Sequence, residues 1–487
     1  MESANRRSAV RPVIREGSLM RNRRRGTQLL GAAAAALAFS LAVPLTAAGA
    51  SLHTSLLAKA GYGATPVGFA RTANGVLHVA VDQNTNWGDS YSGIAAIPIS
   101  PSGHIGPAVQ ALNWGGQSAQ GIPGLTVMPD GSLEATWGGY PFGSDGPWGI
   151  SSTDGGTTWS SPVNIGSGSM QFGDSHVGVA VSNGTPVLVA GCCGGIVIQQ
   201  GFGPGSPTSQ ITNSTDGCAG NTDVAVDAAT GAAVTSWDSC DGTGGQWLQQ
   251  VAPSLGTAVK LATPTQYGSG TPAIIAGRDT GAGVFAAYPK NYGNTTHIAL
   301  ARYGGGSTSV GSVAHLHANV WGVATASDGR LWVMWWGQNT KTGKQEIAVT
   351  RSSKAGNAFE PIQVFGLNYS FLFWLAGDGR LGALDMLISG TPSGNNVPGG
   401  IYYARVIPVL SASVSTVALP GGKFKLKVRV IDAGDPVAGA TVAAKGTNGK
   451  TNKSGRTTLT VAGRSGEHVT VTISAPSYRT LKKSITL

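Results

Sequence analysis

Short runs in which apolar and polar residues alternate recur along most of the chain. One example is the pair "GLTVM" and "LEATW", which flank the segment "MPDGSL" around Gly131. A period of two places successive side chains on opposite faces of a strand, so the pattern predicts β-strands with one buried face. Asp-Gly between two such runs is a strong signal for a β-hairpin, because the tight turn needs a positive φ.

The same turn signal returns at intervals of 47 to 56 residues. It is centred on Gly75, Gly131, Gly184, Gly231, Gly281, Gly329 and Gly379. A weaker pair of strands follows most of these hairpins, such as "WGISS" and "SPVNIG". Repeats of about 50 residues with four strands each indicate an all-β β-propeller. Seven turns favour seven blades, and six blades with an additional hairpin is the alternative.

The N-terminus is typical of an exported protein. Eight arginines precede residue 26, the apolar run "LLGAAAAALAFSLAVPL" follows, and Ala48-Gly49-Ala50 supplies small residues for cleavage. This order predicts a signal peptide over residues 1–50 and a secreted, extracellular product without a membrane span. An uncleaved anchor is the alternative, since the run approaches the length that crosses a bilayer.

The net charge of +10 is unevenly distributed. Residues 51–410 carry −5, whereas residues 411–487 carry +9. The main domain therefore offers no basic surface for nucleic acid, and we expect no nucleic-acid partner. We interpret the basic C-terminal part as a solvated β-surface, with acidic polymers or anionic cell surfaces as the alternative partners.

One segment carries a family signature. "STDGGTTW", Ser152 to Trp159, fits S-x-D-x-G-x-x-W, and "SSKAGNAF" at 352–359 repeats it with Lys354 in place of the aspartate. The repeats resemble the sialidase-like (BNR, Asp-box) β-propeller superfamily. The resemblance implies a structural role for Ser152, Asp154, Gly156 and Trp159 in the turn between the third and fourth strands of a blade.

Residues 411–487 are predicted to form a second domain after the propeller of residues 51–410. "GDPVAGATV", "TNKSGRTTLTV" and "SAPSYRTLKKSITL" resemble the carboxypeptidase-regulatory-like β-sandwich. Such domains act as spacers, stabilisers or adhesive modules, so the resemblance implies no catalytic role for this part of the chain.

The resemblance does not extend to a sialidase site. That site needs three arginines for the substrate carboxylate, together with a tyrosine, a glutamate and an aspartate. The propeller has seven arginines, at positions 71, 278, 302, 330, 351, 380 and 405, and the strand register places all of them on the face opposite the ligand loops. Only three glutamates are present, and Ile97-Pro98 and Ile122-Pro123 lack the preceding arginine of the family motif. We expect no sialidase activity.

The ligand-side loops are instead rich in aromatic and small polar residues. Flat aromatic rings beside Asn, Asp and Gln suit sugars, which need an apolar face to stack on and partners for their hydroxyls. The candidate ligand-binding residues are Trp87, Tyr91, Tyr140, Trp148, Trp247 and Tyr292. Trp137, Trp237 and Trp335 are instead expected to end strands and to pack between blades, whereas Trp148 and Trp247 are placed in loops.

Aspartates in the same loops are the candidates for catalysis. Glycoside hydrolysis needs at least two carboxylates, and Asp145, Asp238 and Asp241 are available. The competing interpretation is that they bond local backbone or bind calcium. His315 and His317 lack an apparent third metal ligand, so we expect no metal and no cofactor.

The four cysteines suit an oxidising compartment. Reflection through the hairpin turn near Ala229 places Cys218 opposite Cys240, and we favour this disulfide. Cys192 and Cys193 then remain, either as a vicinal disulfide or reduced. Pairing of each with Cys218 or Cys240 stays open.

Together these features predict a secreted recognition protein that binds a glycan or another cell-surface polymer. A glycoside hydrolase or lyase that uses loop aspartates is the alternative. A protein-binding propeller is a third possibility, because propeller faces also bind peptides.

Overall fold

The computed structural model describes residues 50–59, 68–82, 93–113, 124–138, 147–166, 177–192, 195–211, 219–239, 245–262, 274–291, 293–367, 369–392 and 399–487. The predicted signal peptide lies outside these ranges apart from Ala50. In the described ranges, no helix has the length and apolar character needed to cross a membrane.

The described residues of 68–406 fold into seven consecutive antiparallel sheets, in which each strand of this range pairs with the next along the chain. The first six sheets take four strands from this range and the seventh takes three. The first sheet contains β3 (Gly68–Arg71), β4 (Leu77–Asp82), β5 (Gly93–Ile99) and β6 (Val109–Asn113). The second contains β7 (Gly124–Val127), β8 (Leu133–Trp137), β9 (Trp148–Ser152) and β10 (Val163–Asn164). The third contains β11 (Val177–Ser182), β12 (Thr185–Cys192), β13 (Gly195–Gln200) and β14 (Thr208–Ile211). The next two contain β15 (Ala219–Val226), β16 (Ala233–Ser239), β17 (Gly245–Ala252) and β18 (Val259–Ala262); and β19 (Ile275–Gly277), β20 (Val284–Asn291), β21 (His297–Arg302) and β22 (Ser307–Ser312).

The last two sheets take strands from both ends of the propeller sequence. The sixth contains β23 (Leu316–Thr325), β24 (Leu331–Asn339), β25 (Gln345–Arg351) and β26 (Gln363–Leu367), with β1 (Ala50–Ser51) added in parallel to β26. The seventh contains β27 (Tyr369–Asp378), β28 (Leu384–Pro392) and β29 (Gly400–Val406), and β2 (Ser55–Lys59) pairs with β29 as its outer strand. β2, from the N-terminal part of the chain, therefore completes the last blade.

Apolar clusters fill the seams between neighbouring sheets. Within the described residues each of the seven seams has its own cluster, including one that joins the first sheet to the seventh. In that closing seam the Phe69 and Trp374 rings meet edge to face at 6.2 Å. Sheets of four antiparallel strands, stacked through apolar faces around a closed ring, are the blades of a β-propeller, so the predicted fold is confirmed.

The predicted hairpin turns are present, with one correction. Six of the seven turn glycines have a positive φ, from +70° at Gly231 to +88° at Gly281. The prediction that Gly379 is the glycine with positive φ in the seventh turn is wrong, because the positive φ of +97° belongs to Gly382. Gly379 is needed for another reason: a Cβ there would lie 2.3 Å from Cδ1 of Trp332 in the neighbouring blade.

Residues 411–487 form two further sheets that pack face to face. One contains β30 (Ser411–Leu419), β31 (Lys423–Asp432), β32 (Asp435–Pro436) and β35 (Arg456–Ala462); the other contains β33 (Thr441–Ala444), β34 (Thr447–Lys450), β36 (His468–Ser474) and β37 (Leu481–Thr486). Their inward residues, such as Leu426, Val442 and Val471, share one apolar core. This β-sandwich and the propeller belong to one compact unit.

Candidate functional site

The propeller has two chemically different ends. The first and third strands of each blade run toward the hairpin turns and the turns between third and fourth strands, and we call this the turn end. The opposite end carries the connections between second and third strands and between blades, and we call it the loop end. Ligand binding was predicted at the loop end.

Most of the predicted site residues lie outside the described part of the chain. These are Trp87, Tyr91, Tyr140, Tyr292, Asp145, Asp241, Cys218 and Cys240. Asp238 belongs to β16 and not to a loop. The ligand and catalytic roles of all of them stay predictions.

Trp148 and Trp247 are described, and their predicted placement in loops is wrong. Trp148 begins β9 and is paired with Trp137 at the end of β8; Trp247 lies in β17, paired with Trp237 in β16. The pairing between the second and third strands of these blades continues further toward the loop end than the glycine-rich sequence suggested. Both side chains are half-buried and contact the cores of their blade seams.

The surroundings of Trp247 limit how it can meet a ligand. Its ring is stacked on Trp237, with centroids 6.0 Å apart and an interplanar angle of 8°. The ammonium group of Lys260, opposite on β18, lies 5.4 Å from the same ring. A ligand would therefore meet the exposed part of the ring between these neighbours. Trp137, Trp237 and Trp335 are fully packed between blades, as their positions in the strands indicated.

The arginines lie at the turn end, where one ionic network contains Arg71, Arg380 and Arg405 and a second contains Arg330 and Arg351. The first network closes the ring. Arg71 at the end of β3 donates from Nε to Asp378 Oδ1 at 2.5 Å and from Nη2 to Asp385 Oδ2 at 2.6 Å. The Tyr403 hydroxyl donates to Asp385 at 2.7 Å, and Arg380 donates to Asp378 at 2.6 Å. These groups join the first blade to the seventh.

The second network joins the propeller to the sandwich. Arg351 at the end of β25 lies 2.8 Å from both Glu360 Oε1 and Asp432 Oδ2, and all three side chains are buried. The Tyr478 hydroxyl donates to the same Asp432 oxygen at 2.6 Å. Burial, followed by the Asp432 charge and its hydrogen bond, raises the pKa of Tyr478 to about 12. Burial and contact with Asp432 raise the pKa of Glu360, because the Arg351 charge only partly offsets the loss of water.

The sandwich also contacts the turn in the segment 352–359, which repeats the sequence pattern of Ser152–Trp159. Lys354 occupies the aspartate position of that turn, and its backbone N–H donates to Asp435 Oδ2 of the sandwich at 2.9 Å. Arg330 lies 2.7 Å from the same carboxylate oxygen. Arg278 of the fifth blade donates to the carbonyls of Lys354 and Ala355. The Asp435 carboxylate of the sandwich thus accepts a hydrogen bond from the turn that has Lys354 in place of an aspartate.

The turn in the segment Ser152–Trp159 is held by its own aspartate. Asp154 Oδ1 accepts hydrogen bonds from Ser152 Oγ at 2.8 Å, from Thr157 N at 3.0 Å and from Thr158 N at 2.9 Å. These donors, led by the Thr158 hydroxyl at 2.6 Å from Oδ2, lower the pKa of Asp154 to about 2.

The other members of that motif hold the turn at its base. Gly156 N donates to Ser152 Oγ at 2.8 Å. The Trp159 indole N–H donates to Gly156 O, and its ring packs on the seam of the first two blades. The hydrogen bonds are all local to the turn, and the Trp159 ring adds packing against the neighbouring blade.

Two other carboxyls have raised pKa values that the sequence did not indicate. Glu134 in β8 is 7% exposed; burial and the charge of Asp130 raise its pKa to about 7. Asp223 in β15 has a pKa of about 6, because burial outweighs the backbone N–H groups of Ile275 and Val224 that donate to it. With Glu360, they lie in three different blades.

The inner strands of all seven blades surround a central channel with a cavity of about 380 Å³. Asp223, Phe69 and Trp374 line it, and Asp279 and Arg380 stand toward the turn end. Asp279 is engaged there, since it accepts from the backbone N–H groups of Asp328 and Gly329 at 3.0 and 2.6 Å.

Comparison with known proteins gives similarity in structure only. No family model matches the chain, and no curated protein matches it. A protein of unknown function from Dyadobacter fermentans is similar at 11% identity and a TM-score of 0.44, over 73% of this chain and 98% of that one. A Hadza microbial sialidase is similar at 14% identity and 0.35, over 62% and 65%. An α-L-arabinanase of Penicillium chrysogenum complexed with arabinobiose is similar at 13% identity and 0.34, over 58% and 92%.

Proposed function

We propose that the chain is a secreted recognition protein that binds glycans at the loop end of its propeller and has no sialidase activity. The observation that carries the proposal is the position of the arginines. All seven follow strand directions that lead to the turn end, and Arg71, Arg330 and Arg351 are buried in ion pairs. A carboxylate-binding arginine triad at the loop end would need these side chains on the opposite face.

Aromatic residues at the loop end support binding. Two blades, the second and the fourth, present the same arrangement of a buried tryptophan paired with a half-buried one. Trp148 and Trp247 are the half-buried members. Half-buried indole rings offer apolar surface for a sugar ring, which at Trp247 is the part of the ring left exposed between Trp237 and Lys260. Polar residues in the adjoining loop sequences can bond the hydroxyls of the sugar.

The family assignment follows the same reasoning. The Asp154-centred turn and the blade architecture support membership of the Asp-box superfamily, and the two-sheet C-terminal part supports a carboxypeptidase-regulatory-like domain. The signal-like N-terminus supports secretion.

The experiment is a binding assay of purified residues 51–487 against a panel of neutral, acidic and sialylated glycans, with released products measured in parallel. We expect binding without product release, and at least tenfold weaker binding for Trp148→Ala or Trp247→Ala. Trp159→Ala is the matched control: it removes another half-buried indole from the seam that Trp148 contacts, but at the turn end. It should lower stability and leave affinity unchanged.

Three results would contradict the proposal. Release of sialic acid would show a sialidase. Release of another sugar, lost in Asp145→Asn or Asp238→Asn, would show a glycosidase. Equal loss of binding in Trp148→Ala and Trp159→Ala would show that the effect comes from the fold and not from the loop end.

A further inference from the structure

One strand of the sandwich presents a row of positive charges. In β31 the residues alternate strictly, so Phe424, Leu426, Val428 and Val430 enter the core. The opposite face carries Lys423, Lys425, Lys427 and Arg429, which we call the basic ladder. Three of the four are exposed and Lys425 is half-buried. At about 3.4 Å per residue, the charges follow one another every 7 Å or so along roughly 20 Å of strand.

The basic ladder runs through the middle of its sheet. β31 pairs with β30 on one side and with β35 on the other. The residue directly opposite Arg429 on β35 is Arg456, a fifth exposed cation. Like charges directly opposite each other, or two residues apart on one face, repel. The fold alone gives no reason to collect them here.

No acidic side chain neutralises the ladder. The sandwich has three acidic residues, and each is engaged elsewhere: Asp432 and Asp435 with the propeller arginines, and Glu467 with Lys445. Among the described residues, none of the five cations has an ion-pair partner. The positive potential of this face is therefore available to a partner.

Hydroxyl groups flank the ladder on both sides. Ser413 and Ser415 project from β30, and Thr458 and Thr460 from β35, on the same face and all exposed. A linear chain lying along the strand would meet a cation about every 7 Å. Hydroxyls able to bond its own hydroxyl groups stand on both sides of Lys427, on one side of Lys425 and Arg429, and on neither side of Lys423.

We propose that the basic ladder binds a linear anionic polysaccharide that carries carboxylate or sulfate groups. The flanking hydroxyl rows favour a sugar polymer. No aromatic side chain stands on this face, whereas single-stranded nucleic acid needs stacking platforms. The exposed apolar residues Val417 and Leu419 stand at one end only, which leaves no continuous apolar face for a membrane. The proposal is independent of the propeller's ligand, because it concerns another face of another domain.

The test uses residues 51–487 with labelled heparin and polygalacturonate, and with dextran, single-stranded DNA and phosphatidylserine vesicles for comparison. The variant Lys423→Thr/Lys425→Thr/Lys427→Thr removes three ladder charges. The control Lys450→Thr/Lys453→Thr/Lys482→Thr removes three exposed charges from elsewhere in the sandwich, so the two variants have equal net charge. Thermal unfolding of each variant checks that the fold is retained.

We expect the ladder variant to bind a polyanionic polysaccharide at least tenfold more weakly, with a shallower salt dependence, and the control to bind like the wild type. Equal losses in the two variants would overturn the proposal in favour of a net-charge effect. Tighter binding to DNA or to vesicles than to both polysaccharides would overturn the choice of partner. Absence of polysaccharide binding by the wild type would overturn the proposal altogether.

Discussion

Arg71 and Asp378 are 307 residues apart in sequence and form a buried ion pair of 2.5 Å between the first and the last blade. The second carboxylate on Arg71, that of Asp385, is also fully buried. A propeller whose ring is joined by apolar side chains alone could slide at this seam. The two directional hydrogen bonds of a planar guanidinium fix its register.

Arg71→Ala is expected to lower the free energy of unfolding by about 3–5 kcal/mol, because it removes the one fully buried cation that the two buried carboxylates share and leaves each with only a more exposed arginine. Urea unfolding followed by tryptophan fluorescence measures the loss. Arg380→Ala is the matched control, since Arg380 pairs with the same Asp378 but its side chain is 43% exposed. We expect at most about 1 kcal/mol there; equal losses would show that the seam does not depend on Arg71.

Asp432→Ala is expected to weaken the docking of the sandwich by a similar 3–5 kcal/mol, because Arg351 and Arg330 would remain buried with one carboxylate fewer. Calorimetry should then show the sandwich unfolding apart from the propeller, and proteases should cut between residues 406 and 411. Glu467→Ala removes a half-buried carboxylate of the sandwich that pairs with Lys445, and it should change neither. A single transition in Asp432→Ala would contradict the expectation.

Glu134→Gln is expected to stabilise the protein at pH 8 but not at pH 5. The pKa of Glu134 is raised from 4.5 to about 7 in the folded state, chiefly by burial. The folded protein thus holds this proton more tightly than the unfolded chain. The contribution of Glu134 is complete below pH 4.5 and is lost as the pH rises to 7.

Glutamine mimics the protonated acid, so the variant should match the wild type at pH 5 and exceed it by about 2–3 kcal/mol at pH 8. Urea unfolding at the two pH values measures the difference. Glu346→Gln, at a half-buried glutamate that accepts from Asn339, controls for loss of a carboxylate. A pH-independent effect of Glu134→Gln would contradict the assignment.

Cys218 and Cys240 are expected to be joined by a disulfide. The last described pair of the β15–β16 ladder is Ala219 with Ser239, one residue from each cysteine. Residues directly opposite in antiparallel strands are separated by about 4.5–5.5 Å between Cα atoms, a span that a disulfide can bridge. Peptide mapping under non-reducing conditions tests the pairing; a peptide joining Cys193 to Cys218 would contradict it.

The sequence predicted those features that depend on local chemistry. Glycines in Asn-Gly and Asp-Gly turns set the hairpins, because only a positive φ closes them, and Asp154 with its neighbours shaped one turn. The predictions were wrong where pairing between strands, and not the local sequence, determines the structure. Trp148 and Trp247 were assigned to loops because glycine and aspartate surround them, yet pairing with Trp137 and Trp237 keeps both in strands.

Long-range partners left no signal in the sequence. The position of Arg71 before a hairpin placed it at the turn end, but nothing nearby indicated Asp378 or Asp385. The role of Lys354 was equally hidden, since Asp435 comes from a different domain. The candidate ligand residues Trp87, Tyr91, Tyr140 and Tyr292 rest on sequence reasoning, and the glycan assay decides their role.

The pairing of β2 with β29 sets the order in which the protein can mature. β2 leaves the ribosome before any strand of the first blade, but it can pair only after β29 has been made, some 350 residues later. Until then the edges of the unfinished ring present unpaired backbone groups to other chains. The newly made ring is therefore protected from aggregation only after the last blade has been synthesised and has paired with β2.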